Sequence, residues 1–170
     1  MEEIKQVRVA LVTGNRWRLW FVSLGLVLCV SQQVGQLDTC LLDLFNSIMV
    51  NRYKDVHKEI RADVIAAIGK WVLGYPALFL KETYIKYIGW LLADREAVVR
   101  RRALAALTPL YEVESFIASL SNFTKRFKPR MVDMVFDSDE AAAVAATELL
   151  TLCNKYVATV AGLLLVPARG

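Results

Sequence analysis

A short pattern recurs along this chain and leaves few folds open to it. Asp55-x4-Ile60-Arg61 and Asp94-x4-Val99-Arg100 share one arrangement, 39 residues apart. A degenerate third copy, Asp139-x4-Val144, follows 45 residues later with Ala145 in place of the arginine. The carboxylate at the head of each copy can accept backbone amides that the first turn of a helix leaves unpaired. A period of roughly 40–47 residues is that of HEAT or armadillo-like helical repeats. In such stacks each helix pair buries its apolar face only against its neighbours. The arginine one place beyond the apolar Ile or Val can then reach an acidic side chain of the adjacent repeat.

The stretches between these caps read as helices. Leu37, Leu41, Leu44, Phe45 and Ile48 fall at i, i+4, i+7, i+8 and i+11, the stripe of an amphipathic helix over 37–49. Ile60, Val64, Ile68 and Trp71 or Val72 form a second stripe, ended by Gly74 and Pro76. A helix over 79–92 follows, and another runs from Asp94 towards Tyr111. A further helix starts at Ser121, and a last one, capped by Asp137, Ser138 or Asp139, runs through Leu150 and Leu152. No alternating period-two stretch competes, and the connections are short enough for antiparallel neighbours. Glycine and proline number only 8 and 4, which suits helices on propensity. The expected class is all-α, a HEAT-like α-solenoid segment of antiparallel helix pairs.

Charge is unevenly spread. Residues 1–51 balance, with four basic and four acidic groups. Residues 52–130 carry 15 Lys or Arg against 8 Asp or Glu, whereas 131–170 carry 2 against 5. The positive field therefore sits on the repeat, where it suits either a polyanion, an acidic partner peptide or plain solvation. Cys29, Cys40 and Cys153 lack the paired spacing of a disulfide framework or zinc site and read as small buried apolar groups. His57, the single histidine, lies at a helix start and reads as a surface residue. There is no glycine-rich phosphate loop, nucleophile elbow or His-Glu-x-x-His motif. No catalytic residue, metal site, cofactor or small-molecule substrate is expected.

Two clusters carry residues a core does not need. On a wheel of about 100° per residue, Tyr84, Ile85, Ile88, Leu91 and Leu92 share one side of the 79–92 helix. Glu82, Lys86 and Trp90 lie roughly opposite, with Tyr87 on the flank. Trp90 either fills a second interface of the stack or is an anchor for a partner, since Trp, Tyr and Arg dominate binding hot spots. Phe123 and Phe127, four apart and flanked by Lys125, Arg126 and Lys128, pose the same choice between core pair and docking site. Arg100-Arg101-Arg102 spans roughly 200° of helix surface, so at least one of these arginines faces solvent and is a candidate for phosphate or acidic-peptide contact. Outside the repeat, Gly14-Asn15 signals a turn. Leu19–Val30 runs without a charge but falls short of the roughly 20 residues that span a bilayer. It reads as a buried helix, with a signal or anchor as the alternative.

Certain pieces, taken in order, carry a resemblance. They are Arg52-Tyr53-Lys54-Asp55, Glu59-Ile60-Arg61, Ile68-Gly69-Lys70-Trp71, Tyr84-Ile85-Lys86-Tyr87-Ile88-Gly89-Trp90-Leu91, Asp94 and Val99-Arg100. Ala106-Leu107, Leu110-Tyr111, Phe123-Thr124-Lys125-Arg126-Phe127-Lys128 and Arg130-Met131-Val132-Asp133-Met134 complete the set. Together they resemble the stromalin conservative domain of the cohesin subunit SA (stromal antigen) family. On this reading residues 37–153 are the domain, 1–36 are unassigned and 154–170 are an apolar tail or the start of a further helix.

The resemblance implies a non-enzymatic, nuclear, chromosome-associated protein of sister chromatid cohesion. Family members are much longer solenoids that bind the kleisin and DNA, so the chain is expected to be a fragment that does not hold the kleisin by itself. The domain in the family offers a surface to aromatic-containing peptides of chromatin regulators such as shugoshin-like proteins. Here that surface would comprise Tyr53, Lys86, Tyr87, Trp90, Phe123, Arg126 and Phe127. Arg100, Arg101, Arg102, Lys125 and Lys128 would be possible contacts to DNA or acidic groups. Met49, Asn51 and Pro129 depart from the family pattern, and Pro129 is expected either to kink its helix or to restart it. The competing functional reading is a generic HEAT-type scaffold without chromatin contact, and the third is a secreted or membrane-tethered protein if 19–30 acts as a signal or anchor.

Overall fold

Each helix pair begins at an aspartate that folds back on its own backbone. The Oδ1 atoms of Asp55, Asp94 and Asp137 accept the amides of His57, Glu96 and Asp139, each at 2.9 Å. This turn, repeated three times, sets where the chain leaves a connection and enters a helix. In the computed structural model, residues 31–164 are described at the backbone level and 31–155 with their side chains. The apolar run Leu19–Val30, the Gly14-Asn15 turn and Cys29 lie outside the described residues.

The chain divides after Phe45 into two compact units. In the first, residues 31–44 are helical. The chain then passes through a π-helical turn, Phe45–Met49, into the short helix Val50–Arg52. The extra residue of such a turn rotates the helix face. The stripe expected over 37–49 is not a buried face: Leu37, Leu44 and Ile48 are exposed and only Phe45 is fully covered.

The second unit holds the repeat. Its principal helices are α1 (Lys58–Gly74), α2 (Glu82–Leu91), α3 (Ala97–Glu112), α4 (Ile117–Asp133) and α5 (Glu140–Leu164). Pro76–Phe79 forms a single turn between α1 and α2, with Pro76 where a first-turn amide is not needed. α3 packs on α1 and on α5, making one layer, while α2 and α4 pack on each other to make a second. Between α3 and α4 the chain turns by 100°. No strand occurs among the described residues. The arrangement is the expected all-α repeat.

The core lies between the layers. Ile65, Ile68 and Val72 of α1, Ile85 and Ile88 of α2, and Val99, Leu104, Leu107 and Leu110 of α3 are buried. Ile60, expected to head the apolar stripe of α1, is instead 37% exposed, and the inward position belongs to Arg61. Gly69 lets α1 and α3 close on each other, since a Cβ there would lie 2.9 Å from that of Ala106.

Arg61 and Arg100 join the repeats. Nε and Nη2 of Arg61 donate to Asp94 at 2.7 and 2.8 Å, while its Nη1 donates to the carbonyls of Asp55 and Val56. Arg100 repeats the geometry, reaching Asp137 at 2.7 and 2.6 Å and the carbonyls of Asp94 and Arg95. Each arginine thus ties its own connection to the aspartate of the next repeat. This meets the expectation for the arginine and re-registers the third copy. The structural counterpart of Asp55 and Asp94 is Asp137, whereas Asp139 caps α5 through the Ala142 amide.

Other boundaries depart from expectation. α4 begins at Ile117, after a 3-10 turn at Glu114–Phe116, and not at Ser121. It continues through Pro129 without restarting. Arg130, one residue on, donates to the Leu92 carbonyl at 3.2 and 3.1 Å, placing a cation at the C-terminus of α2, where the helix dipole favours it. Cys153 is buried as expected, but Cys40 is exposed.

Candidate peptide-docking surface

α2 carries the first aromatic cluster. Tyr87 and Trp90, three residues apart, share a flank of that helix and pack edge to face with centroids 5.3 Å apart. Tyr53, just after the short helix Val50–Arg52, lies against both, at 4.9 Å from Tyr87 and 5.7 Å from Trp90. Trp90 stays 39% exposed, Tyr53 is half-buried and Tyr87 is nearly covered. Burial, reinforced by Tyr53, pushes the Tyr87 phenol above its ordinary pKa. The Lys86 ammonium stands 5.3 Å from the Tyr87 centroid and 5.4 Å from that of Trp90, and Lys54 sits 5.3 Å from Tyr53. Cations already occupy the faces of these rings, at distances that favour cation–π attraction.

α4 carries the second cluster. Phe123 and Phe127 share a face with centroids 4.7 Å apart. Phe127 keeps a thin exposed edge of 8%, but Phe123 has none. A wholly covered ring cannot itself meet a partner, so Phe123 serves as the support beneath Phe127. Arg126 lies over the Phe127 ring at 5.3 Å, and its Nη1 reaches Glu82 of α2 at 3.3 Å. The clusters meet at Gly89, over whose Cα the Phe127 ring rests. An added Cβ would come within 2.5 Å of Cζ. A mid-helix glycine costs about 1 kcal/mol relative to alanine, and this contact gives a packing reason for it.

The structure therefore gathers Tyr53, Lys86, Tyr87 and Trp90 into one cluster and Phe123, Arg126 and Phe127 into a second, which meets α2 through Gly89 and the Arg126–Glu82 pair. Glu82 and Lys54 border these clusters and Gly89 lies buried beneath Phe127; none was among the expected site residues. The mid-helix glycine was the available signal for Gly89. The pairing of Glu82 with Arg126, 44 residues away, had none.

The basic candidates separate. Arg100 is 8% exposed and fully engaged with Asp137 and two carbonyls, so it is not a contact for DNA. Its place in the triple arginine reflects repeat stacking. Arg101 is exposed and only loosely bridged to Asp139 at 3.7 Å, and Arg102 is exposed. Lys125 is exposed, while Lys128 is half-buried and reaches Asn154 at 3.3 Å.

The first two Asp-Arg turns and all of the aromatic residues of the two clusters but Tyr53 fall within a known domain: residues 54–128 match the model of the stromalin conservative domain. This repeat segment belongs to that family. Sister-chromatid cohesion protein 3 of Arabidopsis thaliana is 41% identical over 119 residues, 70% of this chain and 11% of that protein. Cohesin subunit psc3 of Schizosaccharomyces pombe is 35% identical over 151 residues, 88% of this chain and 15% of that protein. Among solved structures, cohesin subunit Scc3 from Z. rouxii superposes with a TM-score of 0.67 at 28% identity. The match covers 88% of this chain and 17% of that one. The chain thus spans between about a tenth and a sixth of the relatives it resembles.

Proposed function

We propose that this chain acts in sister chromatid cohesion as a non-enzymatic docking module of the cohesin SA type. On this reading it sits in the nucleus on chromosomes and binds acidic, aromatic-bearing peptides of chromatin regulators. The observation that carries the reading is Trp90. It is a large aromatic 39% exposed on α2, packed against Tyr53 and Tyr87 with Lys86 over its ring, within a stromalin conservative domain. An exposed tryptophan buttressed by two tyrosines has the make-up of a binding hot spot. The nearby cations suit an acidic flank on the partner. The family resemblance implies kleisin and the ring subunits as partners of the longer solenoids, and in this reading the present segment contributes the docking face.

Fluorescence anisotropy with a labelled acidic peptide carrying phenylalanine and tyrosine tests the reading. Trp90→Ala should weaken binding by roughly tenfold or more, with the thermal transition still cooperative. Equal affinity for both proteins, or loss only where the variant is unfolded, would refute it.

Proximity to DNA is the second part of the proposal, and it separates this reading from a generic scaffold. The exposed Arg101, Arg102 and Lys125 support it. Duplex binding that falls steeply with salt is expected, whereas a scaffold with no chromatin role should show no such dependence.

A further inference from the structure

Glycines inside helices with helical backbone angles are there for space, and Gly69 and Gly89 are the two in α1 and α2 that face a neighbour. Gly69 accommodates Ala106 in the core, remote from the aromatic face. Gly89 differs because three ring atoms of Phe127 lie within 2.7 Å of where its Cβ would stand. Phe127 is pinned from below by Phe123 and covered by Arg126, which is in turn tied to Glu82. A Cβ there displaces the ring from its place between Phe123 and Arg126.

We infer that Gly89 is a positioning residue for peptide docking: the absence of a side chain there lets the Phe127 ring seat directly against α2, one residue before Trp90. The inference rests on the docking role proposed above and names a residue that touches no partner. Substitution by alanine lifts the Phe127 ring and carries Arg126 away from Glu82. The gain in helix propensity offsets part of the packing loss, so the effect on docking exceeds the effect on folding.

The test uses the full chain and a synthetic acidic peptide containing phenylalanine and tyrosine. In the wild type, the Gly89 Hα protons lie beneath an aromatic ring and should resonate upfield. Gly89→Ala should remove that ring-current signature and weaken the peptide roughly tenfold, while Gly69→Ala, a packing control, should leave affinity within about twofold. Phe127→Ala and the double variant Gly89→Ala/Phe127→Ala should bind the peptide equally, since Gly89 acts only through that ring. An unshifted Gly89 Hα, wild-type affinity in Gly89→Ala, or a further loss in the double variant would each overturn the inference. If Gly89→Ala displaces the ring but wild type and Phe127→Ala bind alike, the positioning geometry stands and the docking reading falls.

Discussion

Asp94 and Asp137 show how far single residues decide this fold. Their carboxylates are 7% and 5% exposed and each is gripped by two guanidinium nitrogens. Burial works to raise the Asp94 pKa, but the Arg61 bonds and the Glu96 amide outweigh it and the net value is depressed. At Asp137 the Arg100 hydrogen bond is the leading cause of a depressed value. A carboxyl with a folded pKa below its unfolded one stabilises fully above the unfolded value, about 3.9, and loses that contribution as pH falls through the folded value. Acid denaturation should therefore set in below about pH 4, and Asp137→Asn should flatten the pH dependence of the denaturation midpoint there. Arg100→Ala leaves a buried carboxylate unpaired and should cost about 3 kcal/mol by urea denaturation, against less than about 0.5 kcal/mol for Arg101→Ala. That Arg61 and Arg100 would reach an acidic residue of the next repeat was legible from spacing, because the arginine recurs with the cap, but their burial was not. The third register was not. Asp137 and Asp139 both sit before a helix, and only the reach of Arg100 shows which one continues the series.

Helices were read well where caps and periodicity agreed and less well where they did not. α3 runs from Ala97 to Glu112, close to the expected span, because Asp94 and the apolar stripe point the same way. α4 starts four residues earlier than expected, since Glu114–Phe116 winds as a 3-10 turn that blends into the helix without a strong cap residue. The π turn at Phe45–Met49 defeats any single wheel drawn through 37–49. Pro129 sits inside α4 on an exposed position, where it removes one backbone donor. Pro129→Ala should accordingly raise stability, by up to about 3 kcal/mol, without touching the aromatic face, as a thermal melt would show. The wheel of α2 groups Ile85, Ile88 and Leu91 on one side, and the structure buries all three. For Phe123 and Phe127 the wheel could show only that they share a face. Which layer that face meets depends on α2, and so the burial of Phe123 was out of reach.

Across the whole repeat, the residues that hold the stack and those that face outward are largely distinct. The Asp-Arg ties run along the connections, while Trp90 and its neighbours lie on the α2–α4 layer. Arg101 and Arg102, on α3, belong to neither group. If they meet DNA, Arg101→Ala/Arg102→Ala should lower the slope of log affinity against log salt by about 2, and leave peptide binding unchanged. The proposed docking role rests on the family and on exposure together. Periodicity alone left Trp90 open between core and surface, and membership of the stromalin conservative domain family supplies the reason to read it as an anchor. Chemical-shift mapping of the labelled chain titrated with the acidic aromatic peptide tests this most directly. Saturable shifts centred on Tyr53, Lys86, Trp90, Arg126 and Phe127 are expected. Shifts confined to the Arg101–Arg102 region, or no saturable shifts on the α2–α4 face, would contradict it.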